Sequence, residues 1–270
     1  MIRFNPDPAA FNAAIAGWIA ADPLPFALIS AISEWKQAWR GVLERDGQPV
    51  AVLARTPGWP AMLASPGEPD AEAVAEVAGL VRDFGGINAP VAWAEAIVSA
   101  QQKAIGVRSH SRMGLRLHRL IGPPRLPRPA LGAALDGHAV APDLIRSWLG
   151  RFSHEIDASM PWTPPTDQEL KPTLAQYRFW IDGEQPVSMT CAMRPFHGGW
   201  SINRVYTPPE HRRHGYAGAV VHALCQAKLA EGASYLALYT DLANPTSNRL
   251  YAEIGFAPVS DQVRILWSLP

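Results

Sequence analysis

The 270-residue chain has no excess of either charge, since 24 Lys and Arg stand against 24 Asp and Glu. Its overall field therefore offers nothing to draw in nucleic acid or an anionic membrane, and neither is expected as a partner. Only 18% of the residues are charged while 48% are hydrophobic, the reverse of the balance that keeps a chain disordered. Cysteine is nearly absent: Cys191 and Cys225 each sit in an apolar stretch, and two thiols make neither a disulfide framework nor a four-ligand zinc site. Both read as small buried hydrophobes, and a reducing cytoplasm is the expected location. No apolar run approaches the ~20 residues of a membrane span. The alanine-rich stretch 9–21, interrupted by Asn12 and flanked by one arginine, makes a poor signal peptide. Missing too are G-x-x-x-x-G-K-[ST] and a strand-borne G-x-G-x-x-G, which speaks against ATP and dinucleotide sites.

Proline, by contrast, is plentiful at 26 residues, and four prolines fall within Gly122-Pro123-Pro124-Arg125-Leu126-Pro127-Arg128-Pro129. Such a segment cannot be helical and reads as a semi-rigid connector. It predicts a division into 1–121, a linker 122–130, and 131–270. A similar hairpin precedes and follows it: Leu43 to Val52 around Asp46-Gly47, and Trp180 to Met189 around Asp182-Gly183, each read as strand, Asp-Gly turn, strand. The elements that follow repeat in order. In the first half they are strand Trp59 to Ala64, helix from the N-cap Asp70 to Phe84, strand Ile87 to Trp93, helix Ala94 to Ile105 and strand Arg112 to Leu120. In the second half they are strand Trp200 to Tyr206, helix Gly215 to Ala230, strand Tyr235 to Thr240, helix Pro245 to Ile254 closed by Gly255, and strand Val263 to Trp267. A duplicated α/β unit of about 130 residues accounts for both sets.

The stretch Val205-Tyr206-Thr207-Pro208-Pro209-Glu210-His211-Arg212-Arg213-His214-Gly215-Tyr216-Ala217-Gly218 carries the most chemistry. A strand stops at two prolines and passes through a loop lacking bulk at Gly215, Ala217 and Gly218 into an amphipathic helix. Exposed helix N-terminal amides beside Arg212 and Arg213 suit a phosphate or pyrophosphate; an ordinary strand-to-helix turn with a solvated basic pair is the plainer alternative.

In these residues the chain resembles the GCN5-related N-acetyltransferases (GNAT), whose loop [RQ]-x-x-G-x-[GA] is matched by Arg212-x-x-Gly215-x-Ala217. A second segment, Leu238 to Phe256 with Asn244-Pro245, Asn248, Tyr251 and Gly255-Phe256, is similar to the family's next strand and helix. The resemblance spans about residues 131–270. It implies an α/β (α+β) acyl-CoA N-acyltransferase fold, a mixed and mostly antiparallel sheet flanked by helices, in two tandem units. The first unit is degenerate, because Ala64 to Asp70 lacks the arginine and the glycine spacing. The resemblance further implies acetyl-CoA as cofactor, no metal, and direct transfer of acetyl to a primary amine, expected to be a small molecule. By the same resemblance the loop 212–218 (Arg212, Arg213, His214, Gly215, Tyr216, Ala217, Gly218) would hold the coenzyme A pyrophosphate. Val205, Tyr206 and Thr207 would pair with the pantetheine arm, Asn244 and Asn248 would line it, and Tyr251 would protonate the departing thiolate. The chain departs from the family where many members carry a glutamate on the strand before the loop: here stand Ser201, Ile202, Asn203 and Arg204. Asp241, His154, Glu155 and His197 are the candidate bases, and Trp162, in a proline-rich loop from Met160 to Pro165, is a candidate for the acceptor pocket. Another acyl-CoA, a mycothiol-synthase-like acceptor, or acyl-CoA sensing without turnover stay open.

Overall fold

The computed structural model describes residues 2–4, 7–156 and 162–270. In chain order the elements of the first half are β1 (Ile2–Phe4), α1 (Pro8–Ala14), α2 (Ala16–Ala21), α3 (Ala27–Ser33), β2 (Trp39–Arg45), β3 (Gln48–Arg55), β4 (Ala61–Ala64), α4 (Ala71–Val81), β5 (Gly86–Pro90), α5 (Val91–Ile105) and β6 (Arg108–Leu120). The second half adds β7 (Ala133–Asp136), α6 (Pro142–Ile156), α7 (Asp167–Leu170), β8 (Tyr177–Asp182), β9 (Gln185–Phe196), β10 (Gly199–Tyr206), α8 (Tyr216–Ala230), β11 (Tyr235–Asp241), α9 (Pro245–Ile254) and β12 (Phe256–Ser268). Among the described residues no helix is long and apolar enough to cross a membrane.

Two compact units form, and they interleave along the sequence. One comprises 1–117, 239–245 and 258–270; the other comprises 118–238 and 246–257. The sequence division had put everything after 131 in a single domain. Packing instead places the C-terminal strand with the first unit, because Gln262 to Leu266 of β12 pair antiparallel with Gly86 to Pro90 of β5.

In the first unit the strands run β1-β2-β3-β4-β5-β12-β6. Only β4 and β5, joined through α4, are paired in parallel among the registers from β1 to β5. The β2–β3 turn is Asp46-Gly47, with φ of 51° and 75°, the left-handed pair a tight hairpin requires. Helix α4 forms because Ala73, Val74, Val77, Ala78 and Val81 recur on one face and bury it against the sheet. Its N-terminus is closed by Asp70, whose carboxylate accepts from the Ala73 N–H at 2.7 Å. Ahead of it, Ser65 and Gly67 form a tight turn, and the buried Trp93 donates its indole N–H to the Gly67 carbonyl at 2.9 Å.

In the second unit the order is β11-β10-β9-β8-β7, with β10–β11 the parallel pair and β7–β8, β8–β9 and β9–β10 antiparallel. The second hairpin turns one residue later than its sequence suggests. Asp182 pairs with Gln185, so Gly183-Glu184 is the turn and Gly183 supplies the positive φ of 60°. Two apolar clusters cover this sheet. Val220, Val221 and Leu224 of α8 meet Tyr251 and Ile254 of α9, with Ile202 and Leu238 beneath. Ile145, Trp148 and Leu149 of α6 meet Tyr177, Phe179, Met189 and Tyr206. Both cysteines are free and buried, and burial pushes the Cys225 thiol up to about 12. The fold is therefore the expected mixed, mostly antiparallel α/β one.

Candidate functional site

The site is organised by an irregularity in β10. Its parallel pairing with β11 runs over Gly199↔Tyr235, Trp200↔Leu236 and Ser201↔Ala237. Against β9, Asn203 pairs with Cys191 and Tyr206 with Met189, so Arg204 and Val205 together oppose Thr190. This is a β-bulge. Arg204 takes a φ of 53°, uncommon for a residue with a long side chain, and the bulge is held by polar bonds. Thr190 Oγ1 donates to the Asn203 carbonyl at 3.2 Å, Ser188 Oγ to the Tyr206 carbonyl at 3.2 Å, and the Arg204 N–H to Asn203 Oδ1 at 2.6 Å. The extra residue re-aims the strand. Ile202 and Val205 pack on the α8–α9 side, whereas Tyr206 packs among the α6-side residues and Arg204 reaches Tyr177 there.

Beyond Thr207 and Pro208, a 3-10 turn over Pro209–His211 leads into the loop. Arg213 has a φ of 66° and Gly215 of 87°. Gly215 is the N-cap of α8 and offers no side-chain cap bond, while the first intrahelical bond is Ala219 N–H to Gly215 O at 3.0 Å. The amides of Tyr216, Ala217 and Gly218 are thus the orphan donors of this helix, at the positive end of its dipole. The equivalent end of α4 is sealed by Asp70. That contrast separates the two halves chemically: a carboxylate already caps α4 where an anion would bind, whereas among the described residues no side chain caps α8.

The loop side chains have defined positions. Arg212 donates from Nε to the Thr207 carbonyl at 2.9 Å and from one terminal nitrogen to both Glu155 oxygens at 2.6 and 2.7 Å, so it ties the loop to the end of α6. Arg128, from the proline segment, donates to the Arg213 carbonyl at 2.9 Å, and its stem lies 3.5 Å from where a Cβ on Gly215 would sit. The His214 and Tyr216 rings stack at 5.5 Å. Tyr216 donates its hydroxyl to Asp182, a bond that raises its phenol from the ordinary value; only its backbone N–H belongs to the loop. A Cβ on Gly218 would lie 3.3 Å from Leu250 and 3.5 Å from Pro127, so close packing explains its small size. Thr207 shares a hydrogen bond with Ser188 at 2.8 Å.

The second predicted segment is divided between the units. Asn244, whose N–H donates to the Asp241 carbonyl at 3.0 Å, lies within 239–245 of the first unit, while Asn248 and Tyr251 lie within 246–257 of the second. Tyr251 is 8% exposed and edge-on to Phe256 at 6.0 Å. Its hydroxyl makes no hydrogen bond among the described residues. Burial pushes the phenol well above its ordinary value, and the neighbouring Cys225 adds to the rise.

The four candidate bases are not equivalent. His197 lies in the turn before β10, at the opposite end of that strand from Tyr206, and the strand spans roughly 23 Å at ~3.3 Å per residue. Asp241 accepts from the Ala243 N–H at 2.8 Å and closes its own turn. His154 and Glu155 both line a cavity of about 440 Å³, with Gly150 and Arg151 of α6 and with Tyr206, Pro209 and Glu210. Burial, reinforced by the Glu155 charge, raises the Tyr206 phenol. Trp162 is 41% exposed and rests on α6, 3.1 Å from a Cβ built on Gly150; the preceding Met160 and Pro161 lie outside the described residues. Sequence reasoning missed Arg128 and the bulge. Neither carries a signal, since Arg128 reads as part of a connector and no glycine marks the bulge.

Residues 141–256 match the model of the acetyltransferase (GNAT) family. Three solved structures share the fold along the whole chain. One is a GCN5-related N-acetyltransferase from Sphaerobacter thermophilus, 14% identical, covering 100% of this chain and 96% of that one with a TM-score of 0.66. Another is a tandem GNAT protein from the clavulanic acid biosynthesis pathway, 15% identical, covering 100% and 98% with a TM-score of 0.57. The third is a GNAT-family acetyltransferase from Colwellia psychrerythraea, 11% identical, covering 99% and 100% with a TM-score of 0.58. No curated protein matches the chain in sequence.

Proposed function

We propose that the chain is an acetyl-CoA-dependent N-acetyltransferase that transfers acetyl directly to a primary amine while both substrates are bound, with residues 131–270 as its catalytic part and the first half non-catalytic. The observation that carries this reading is the uncapped N-terminus of α8, formed by Gly215 and following a bulged strand. Acetyl-CoA supplies an acyl group already activated as a thioester. The amides of Tyr216 to Gly218 would hold its pyrophosphate, with Arg213 and His214 around them. Backbone groups of Val205 to Thr207 would receive the pantetheine arm and polarise the thioester carbonyl as fixed donors. Asn244 and Asn248 would line the arm. Arg212 would act through position, since its guanidinium is held by Glu155 and Thr207. As the amine nitrogen bonds to the acetyl carbon and the C–S bond breaks, the amine loses a proton and the sulfur gains one. Tyr251 would supply the latter: a phenol raised by burial is protonated at neutral pH and suited to donate to a thiolate.

Calorimetric titration with acetyl-CoA tests the reading, with Gly215→Glu as control. A glutamate at a φ of 87° is strained and brings a carboxylate to the anion site, so saturable binding by the wild type should be lost in a variant that keeps its far-UV spectrum. A folded wild type that does not bind acetyl-CoA overturns the proposal; binding without turnover of any amine would favour a sensor instead.

A further inference from the structure

Arg204 is a cation in an unusual setting. The bulge turns it onto the α6 side of the sheet, in a left-handed backbone conformation fixed by Asn203 and Thr190. The residue is half-buried; its guanidinium lies 5.8 Å above the Tyr177 ring and is bonded to the Tyr177 hydroxyl. That hydroxyl is no counter-ion, because burial pushes it up to about 12. Nearby arginines are satisfied differently: Arg146 pairs with Asp143 and Asp167, Arg178 with Asp136, and Arg212 with Glu155. Arg204 forms no ion pair among the described residues, and neither does Arg151, which lines the cavity beside Tyr206 two positions along the strand. A half-buried guanidinium with no carboxylate beside it is a ready partner for one, and this one is held on the strand assigned above to the acyl group.

We propose that the acceptor is an amine that also bears a carboxylate, and that Arg204 is the residue that binds this carboxylate. The inference rests on the acyltransferase reading. A guanidinium offers a carboxylate two parallel donors, and the Tyr177 hydroxyl keeps the fork oriented before substrate arrives. Binding the carboxylate at Arg204 leaves the amine of the same molecule close to the strand that presents the thioester carbonyl. It also accounts for the departure at this strand, where an arginine cannot serve as a base.

The test is an acetylation panel of α-, β- and γ-amino acids, each with its carboxamide and its decarboxylated amine, run with acetyl-CoA as donor. The expected result is that the best amino acid exceeds its carboxamide by roughly 100-fold in kcat/KM, since a half-buried charge left unpaired rejects the neutral analogue. Arg204→Asn, chosen because asparagine tolerates a positive φ, should reduce that ratio to below about 10-fold through KM, with acetyl-CoA affinity by calorimetry unchanged. Equal rates for acid and amide in the wild type, a preference that survives in Arg204→Asn, or acetyl-CoA binding with no carboxylate-bearing amine turned over would each overturn the assignment. Those outcomes leave the cofactor reading standing, whereas absence of acetyl-CoA binding by the wild type removes that reading and this inference together.

Discussion

Removing one oxygen atom, in Tyr251→Phe, separates chemistry from architecture at this site. The ring is buried and the hydroxyl makes no hydrogen bond among the described residues, so it contributes no bond to folding. The phenylalanine variant keeps the ring contact with Phe256 and should be about as stable as the wild type, with a Tm within a few degrees of it. Catalysis should move the other way. A positioned general acid is worth about 10²- to 10⁴-fold, so kcat at saturating acetyl-CoA and acceptor should fall by that factor, equivalent to about 3–5 kcal/mol of barrier. The pH dependence of stability supplies a third readout. Because burial raises the Tyr251 phenol in the folded state, its neutral form belongs to the native protein, while the unfolded chain ionises at the ordinary value near ~10. The wild type is therefore progressively destabilised above that pH, and the variant should lack this part of the loss. Urea melts from pH 7 to 11 and single-turnover kinetics with a thiol reagent would measure all three. An unchanged kcat across pH refutes the role of Tyr251 as acid, and a marked loss of stability at pH 7 refutes the reading of its hydroxyl as unbonded.

Two further outcomes are expected. Asp70→Ala removes the carboxylate that caps α4 and should cost about 1 kcal/mol by urea denaturation while leaving acetyl-CoA binding unchanged; a change in that affinity would show that α4 takes part in the site. A fragment of residues 131–270 retains β12 but lacks β5, its partner over Gln262 to Leu266, so it should aggregate or show a non-cooperative melt, an exposed strand edge being a template for pairing; a soluble fragment with a cooperative transition and full activity would overturn this account.

Local structure was written plainly in the sequence. Asp70 as an N-cap, Pro245 opening α9 and Gly255 ending it, and Gly215 at a φ of 87° all follow from what one residue and its neighbours can do. The apolar periodicity of α4 and the run of apolar residues in α8 likewise required no knowledge of the partner. The likeness of residues 141–256 to the GNAT family model was legible for the same reason: the loop motif is a local backbone requirement, a left-handed turn and small residues before a helix.

What the sequence did not contain was which strands meet. The proline segment marks a covalent boundary, yet β12 packs with the first unit because Val263, Ile265 and Trp267 complete its apolar cluster, and a pairing partner more than 170 positions away leaves no trace in either strand alone. The bulge was equally invisible, since two residues opposing one is a property of β9 and β10 together, stabilised by Ser188 and Thr190 from the neighbouring strand. Tertiary structure alone decided that Arg212 is held by Glu155, that Arg128 braces the loop, and that Arg204 faces the α6 side. The sequence determined the local conformations that make an anion-binding turn; only the folded sheet, by fixing register and therefore the direction of each side chain, determined what surrounds it.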